Sequence, residues 1–403
     1  MKIRTVSSNV SKISPSATIA VEAKANELIA KGIDIISFAE GEPDFDTPEN
    51  IKASAAQAMQ EGFTKYTAVA GIQELKEAIC SKLKRDNHIE YDPSHIIVSN
   101  GAKQALYNAF MTICDQGDEF LLPTPCYVSF AEQIKLAGGT PVFVPTKEEN
   151  HFRVTLEELK SKYNPKVKGL MLNSPNNPSG SVCKKEELSR IADFLVDKGI
   201  WVITDEIYEK IIYDNNKHIS IASLNQEIKK QTITINGVSK TYAMTGWRVG
   251  YAAGPREFIS AMTKFQGHVT GNVNSIAQKA VIEALKGSQK MVKVMLKEYV
   301  RRRDYMVKEL NSINGILCNN PDGAFYVFPN ISKLYEAHFK DKIINNEVDV
   351  VNYILNEARV AVVPGEASEY PDHIRLCFAM SMENIKEGLN RIKGAVNKLA
   401  LTS

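Results

Sequence analysis

The sequence has no CxxC pair, no HExxH signature, no internal repeat and no low-complexity tract. Its six cysteines (Cys80, Cys114, Cys126, Cys183, Cys318 and Cys377) are scattered. That pattern indicates neither a disulfide framework nor a zinc site, and it points to a reducing compartment. No apolar run approaches the roughly 18 residues of a membrane span, and the N-terminal stretch lacks the apolar core of a signal peptide. A dominant charge is missing as well: 49 Lys and Arg stand against 47 Asp and Glu, which argues against a nucleic-acid surface or an anionic membrane as partner. A cytoplasmic protein that handles small molecules is expected. What the chain does have is bulk: 403 residues, 44% of them hydrophobic, enough for a large core and two or three structural units.

The middle of the chain alternates helical patterns with short apolar strands, the mark of an α/β sheet. Ile51, Ala55, Ala58 and Met59 share a helical face that stops at Gly62, and Leu75, Ile79 and Leu83 share the next. Seven strands are predicted: Ile96 to Val98, Phe120 to Leu122, Val142 to Val144, Gly169 to Leu172, Trp201 to Thr204, Thr232 to Ile235 and Val249 to Ala253. Helices lie between most of them, for example Lys184 to Lys198, and Thr155 with Glu158 forms a capping box before Leu159. A long polar helix from Gly287 to Asn311 then leads to a smaller α+β unit, with strands at Ala324 to Phe328 and Ile374 to Phe378 and a last amphipathic helix at Met382 to Leu399. Before Gly41 a single helix, Ala17 to Ala30, must pack on something else. The expected divisions are 1–47, 48–290 and 291–403.

In open parallel sheets, ligands bind beyond the carboxyl ends of the strands. After the Ile96 strand comes Ser99-Asn100-Gly101-Ala102-Lys103, a glycine turn that opens a helix and forms an anion cup. After the Gly169 strand comes Asn173 to Gly180, a turn stiffened by two prolines that holds Asn177 in one place. Asp205, Glu206 and Tyr208 follow the Trp201 strand, and Ser239 and Lys240 follow the Thr232 strand. Singly, each has a plain structural explanation: Lys240 as a solvated loop lysine, Asp205 as a helix cap. Jointly they offer a phosphate cup with an added cation (Arg248), a carboxylate, a hydrogen-bonding pair (Asn177, Tyr208), an aromatic plate (Tyr127) and an amine. Pyridoxal phosphate needs that set, whereas nicotinamide and nucleoside triphosphates would call for GxGxxG or Walker A sequences that are missing.

At this point the chain resembles the class I/II pyridoxal 5'-phosphate-dependent aminotransferases of fold type I, and within them the bacterial-type aspartate aminotransferases. The resemblance runs from Pro15-Ser16-Ala17-Thr18 and Gly41 to Pro48, through Tyr66-Thr67 and Ala70-Gly71-Ile72, to Ser174–Gly180, Ser239-Lys240 followed by Gly246-Trp247-Arg248-Val249-Gly250-Tyr251, and Ile374-Arg375-Leu376. It implies a large domain with a mostly parallel seven-stranded sheet and a smaller α+β domain. It implies that Lys240 holds the cofactor through its aldehyde and then moves a proton, with a pKa lowered by burial. Asp205 would pair with the ring nitrogen, Asn177 and Tyr208 would contact the ring's phenolic oxygen, and Tyr127 would stack on the ring. Gly101, the Ala102 and Lys103 N–H groups, Ser239 and Arg248 would take the phosphate, with Tyr66 reaching it from a second subunit, which implies a homodimer. Arg375 would clamp the substrate's α-carboxylate, with Gly41 closing over it and Asn177 and Tyr127 beside it.

Three departures stand out. Gly237 occupies a place where relatives often carry Ser or Thr; Ser14, with Lys12 nearby, replaces a basic residue before Pro15; and Lys264 to Gln278 holds no arginine, only Lys264 and His268 as cations. The leading expectation is amino transfer from an L-amino acid, aspartate or glutamate, to a 2-oxo acid. An aromatic or alanine-type aminotransferase, or a β-lyase on the same fold, remains open, and a non-catalytic sensor would need an appended domain.

Overall fold

Apolar runs in which successive side chains are all buried suit strands covered on both faces, because alternate residues point to opposite sides. The computed structural model, which describes residues 6–15, 17–340 and 342–400, has seven strands in its large sheet, β1 (Ile96–Ser99), β2 (Glu119–Thr124), β3 (Thr140–Pro145), β4 (Val167–Asn173), β5 (Trp201–Asp205), β6 (Thr232–Gly237) and β7 (Gly250–Ala253), all mostly buried except β3, which is exposed at Thr140 and Pro145. They form one sheet in the order β1-β7-β6-β5-β4-β2-β3. Only β7 runs antiparallel to its neighbours; the remaining adjacent pairs are parallel. Ile97, Phe120, Leu122 and Ile203 enter one apolar layer, while Ile96, Val98, Leu121 and Val202 enter layers on the opposite side.

Register puts the strand ends in a row. Asn173 lies opposite Asp205, Asp205 opposite Ile235, and Ser99 and Gly237 both lie opposite Gly250. Because β7 returns directly from β6, the loop 238–249 stays at that edge. A Cβ on Gly250 would collide with the Ala102 backbone nitrogen, so only glycine lets the β7 start and the helix at Ala102 approach this closely.

The second apolar cluster gathers Met295, Tyr299 and Met306 of the long helix with Phe325, Leu376, Ile385 and Leu389, and it also takes in Ile207, Ile211 and Tyr213 from beyond β5. Its sheet is antiparallel, with β8 (Tyr326–Val327), β9 (Val363–Pro364) and β10 (Ile374–Cys377) in the order β9-β10-β8. The N-terminal segment joins this unit: Ile36–Ser37 pairs in parallel with Val360–Ala361, and Ala25 of the Ala17–Ala30 helix packs with Ile35, Leu355 and Ala361.

Several expectations need correction. The long helix spans Lys290–Leu310 rather than starting at Gly287, because Gln289 turns its amide back onto Ala284 and Gly287 carbonyls. It is not simply polar: Arg302 and Arg303 are buried, Arg302 paired with Asp44 and Arg303 with Asp214. The strand expected at Ala324 begins at Tyr326, since Ala324 adopts φ 56° and bonds to Ile211 instead. The last helix ends at Val396, not Leu399. Before Gly41 there is also a short helical turn, Ser8–Ser11, besides the Ala17–Ala30 helix, and Ser16 lies outside the described residues. The expected capping box of Thr155 and Glu158 is present on both sides.

Candidate active site

The strand ends close around a cavity of about 410 Å3. At one wall, Gly101 (φ 84°) stops β1 and starts the Ala102–Ile113 helix, whose first N–H groups have no intrahelical partner. Arg248, also left-handed at φ 54°, lays its guanidinium against Gly101 so closely that a Cβ there would strike it. Arg248 Nη1 donates to the Thr245 carbonyl at 2.8 Å, and among the described residues it has no carboxylate partner. Backbone donors at a helix start beside an unpaired guanidinium make an anion site. Ser239 and Lys103 line the same region, with Lys103 Nζ 5.5 Å from the Tyr127 ring centre.

On the floor, Lys240 donates from Nζ to the Gly41 carbonyl. Burial, aided by Arg375 and Arg248 and opposed by Cys377 and Glu42, pulls its amine down to about 8. Asp205, at the end of β5, is pushed up to about 7 by burial, with Glu206 adding to the shift while the Ile207 N–H and Lys240 oppose it. Among the described residues it forms no ion pair, and a cation brought closer than Lys240 would pull it back down. Tyr208 shares a 2.8 Å hydrogen bond with Tyr326, and both phenols are held above their usual range, first by burial.

The opposite wall comes from the small sheet. Arg375 and Cys377 lie on the same side of β10, and Cys377 is registered with Tyr326, so one face presents both Arg375 and Tyr326. The Arg375 guanidinium sits 4.8 Å from the Tyr326 ring centre. It donates to Asn177 Oδ1 at 3.1 Å and to the Ala39 carbonyl at 2.6 Å. Asn177 is itself fixed by its N–H on Asn173 Oδ1 at 2.8 Å. Arg375 is 4% exposed and its Nε has no partner. A buried guanidinium that has no carboxylate partner among the described residues fits an incoming carboxylate.

Ala102, Lys103, Tyr127, Asn177, Asp205, Tyr208, Ser239, Lys240, Arg248, Arg375 and Gly41 thus meet at one cavity, and Gly101 supports its wall. Tyr66 does not: it is 98% exposed, in the loop before Ile72. The sequence reading missed Tyr326, which lay inside an apolar run and carried no separate signal. It also missed Ile19, Glu22, Glu40 and Glu42, which the N-terminal segment brings to the rim. Glu40 is raised by burial and by its two acidic neighbours.

This sheet order, with an amine, a carboxylate and unpaired guanidiniums around a cavity at its carboxyl edge, defines a transferase of fold type I. Residues 33–392 match the family model for aminotransferase class I and II. The chain is 46% identical to the aspartate aminotransferase of Bacillus subtilis over 96% of its own length and 98% of that protein. It is likewise 46% identical to a probable aspartate/prephenate aminotransferase of Aquifex aeolicus, covering 98% and 99%. Its structure superposes on the aspartate aminotransferase of Rhizobium meliloti with a TM-score of 0.96 at 39% identity, covering 99% and 100%. The chain belongs to the class I and II aminotransferase family and is an aminotransferase.

Proposed function

We propose that the protein moves the amino group of aspartate or glutamate to a 2-oxo acid with pyridoxal 5'-phosphate as cofactor. The observation that carries this reading is the Lys240 amine, brought down to about 8 in the same cavity as Asp205 and Arg375. The donor set fits the cofactor part by part. The Ala102 and Lys103 N–H groups, Ser239 and Arg248 would hold the phosphate, Tyr127 would cover the ring, Asn177 and Tyr208 would bond its phenolic oxygen, and Asp205 would face its nitrogen. When bound, the cofactor supplies an aldehyde that an amine can condense with and a ring that accepts electron density.

The chain's own residues then have separate tasks. Asp205, raised to about 7 in the fold, would be drawn to its ionised form by the protonated ring nitrogen it would face. Lys240 Nζ would take the proton from the substrate's α-carbon and deliver it to the cofactor's aldehyde carbon rather than return it, which is what lets the α-carbon become the oxo carbon, a role suited to a base titrating near neutrality. Arg375 binds the α-carboxylate in a geometry that Tyr326 and Asn177 have set beforehand. With Lys240, Arg248 and Arg375 committed, Lys103 is the remaining cation among the described residues that line the cavity and would meet a distal carboxylate. The Aquifex relative carries both aspartate and prephenate in its name, and prephenate also bears a second carboxylate, so it is the second amino acceptor to test.

The same proposal includes a homodimer in which the exposed Tyr66 reaches the partner's phosphate, a location in the cytoplasm consistent with six free cysteines, and a division into 48–290 and 291–403 with 1–47 packed on the small unit and the partner. The test is the first half-reaction with a panel of amino acids, followed by loss of the visible cofactor band. Aspartate and glutamate should react fastest; alanine, phenylalanine or tyrosine reacting as fast would overturn the dicarboxylate assignment. Borohydride reduction of the loaded protein should leave a pyridoxyl group on the Lys240 peptide, and its absence there would overturn the mechanism.

A further inference from the structure

The segment after β5 has two faces. Asp205 and Tyr208 look into the cavity, whereas Glu206 and Glu209 enter an enclosed polar cluster and are 1% and 7% exposed. Glu209 forms an ion pair with Lys82 and accepts from Asn87 Nδ2 at 2.6 Å. Glu206 accepts from Ser220 Oγ at 2.7 Å and Asn87 Nδ2 at 3.4 Å, and lies 3.0 Å from His218 Nε2. Lys82 also donates to Asn87 Oδ1 at 2.6 Å. Lys82 ends the Gln73–Lys82 helix and Asn87 lies in the turn after it, both buried and neither lining the cavity.

Two buried carboxylates are costly, and an apolar cluster of the same volume is often as stable. What such a cluster supplies better than an apolar one is fixed position. Glu206 adjoins Asp205 and Glu209 adjoins Tyr208, so the cluster grips the segment beside each side chain that faces the cavity. Burial pushes Glu209 up, yet Lys82, His218 and Asn87 outweigh it and hold the carboxyl below its usual value. The surrounding groups do not compete. Asp86 is paired with Arg85 and Lys210, and the phenols of Tyr91, Tyr242 and Tyr251 are pushed up by burial and by nearby carboxylates, so they stay neutral.

We propose that Lys82 and Asn87 are positioning residues for amino transfer: through Glu209 and Glu206 they hold Asp205 and Tyr208 against the reacting centre. The proposal rests on the cofactor reading above. A Lys82→Met variant, loaded with pyridoxal phosphate, should lose about 10–100-fold in kcat for aspartate, the size expected for a misplacement near 1 Å. KM should change less than about threefold, because Arg375 sits on a separate sheet. The visible circular dichroism of the bound cofactor should fall with kcat, and Lys82→Arg should restore part of both. Should Lys82→Met fail to fold, Asn87→Ala makes a smaller cut in the same grip, with a loss in kcat and dichroism of about threefold or more. The double change Lys82→Met with Glu209→Gln, which removes both charges of that ion pair together, should melt closer to the wild type than Lys82→Met alone while kcat stays low. Variants that melt lower but keep wild-type kcat, KM and visible dichroism per bound cofactor would overturn the proposal. Failure of the wild-type protein to hold the cofactor on Lys240 would instead overturn the reading it rests on.

Discussion

At the scale of single residues, the site is governed by what burial does to charge. Asp205 titrates near 4 in an unfolded chain and at about 7 in the fold, so the cofactor-free folded chain binds the extra proton. Its contribution to stability is complete below about pH 4 and is lost as pH rises through about 7. Lys240, at about 8, is protonated in both states across most of that window and adds little slope. Cofactor-free protein should therefore melt lower at pH 8 than at pH 5.5, and Asp205→Asn should flatten that difference in calorimetry; an unchanged slope would mean that Asp205 ionises normally. Lys240→Ala should keep the fold and lose at least about 10^2–10^4-fold in the half-reaction with aspartate, measured by stopped flow; full activity would refute its role as base. Lys103→Ala should raise KM for aspartate and leave KM for alanine unchanged, since only the former has a distal carboxylate. The types and order of these residues were legible beforehand because each follows a strand end. Tyr326 was not, since a tyrosine within Gly323-Ala324-Phe325-Tyr326-Val327-Phe328 reads as core until a neighbouring strand shows which way it faces.

At the scale of elements, the cavity depends on how the strands stop. Gly101 is required both by its φ of 84° and by the Arg248 guanidinium against it. Gly101→Ala strains the backbone and displaces Arg248 together. Its dissociation constant for the cofactor, from titration of the apoprotein, should rise about tenfold or more, and a smaller change would show that the cup tolerates the shift. The central strands were predictable within a residue or two because burial on both faces leaves an uninterrupted apolar run. The small unit was less legible: Ile36–Ser37 and Val360–Ala361 make a pair too short for any pattern, and two buried arginines in a helix read as solvent-facing until Asp44 and Asp214 are brought to them.

At the scale of the whole molecule, two apolar cores meet across the cavity, one supplying Lys240 and Asp205 and the other Arg375 and Tyr326. If Tyr66 serves the partner's site, mixing inactive Lys240→Ala and Tyr66→Ala chains should restore activity. Random exchange of subunits makes half the dimers hybrid, each with one intact site of two, so about a quarter of wild-type activity is expected. No recovery after exchange, verified by mass, would count against shared sites. The sequence by itself determined the sheet, the reactive amine and the acid and guanidinium that go with it, because periodicity and strand-end chemistry are local properties. Only the tertiary structure decided that Arg375 is buried with no counter-ion among the described residues, that three glutamates and Ile19 form the rim, and that Lys82 backs the Asp205 segment. These depend on which distant surfaces exclude water together, and burial is a property of the packed chain rather than of any stretch within it.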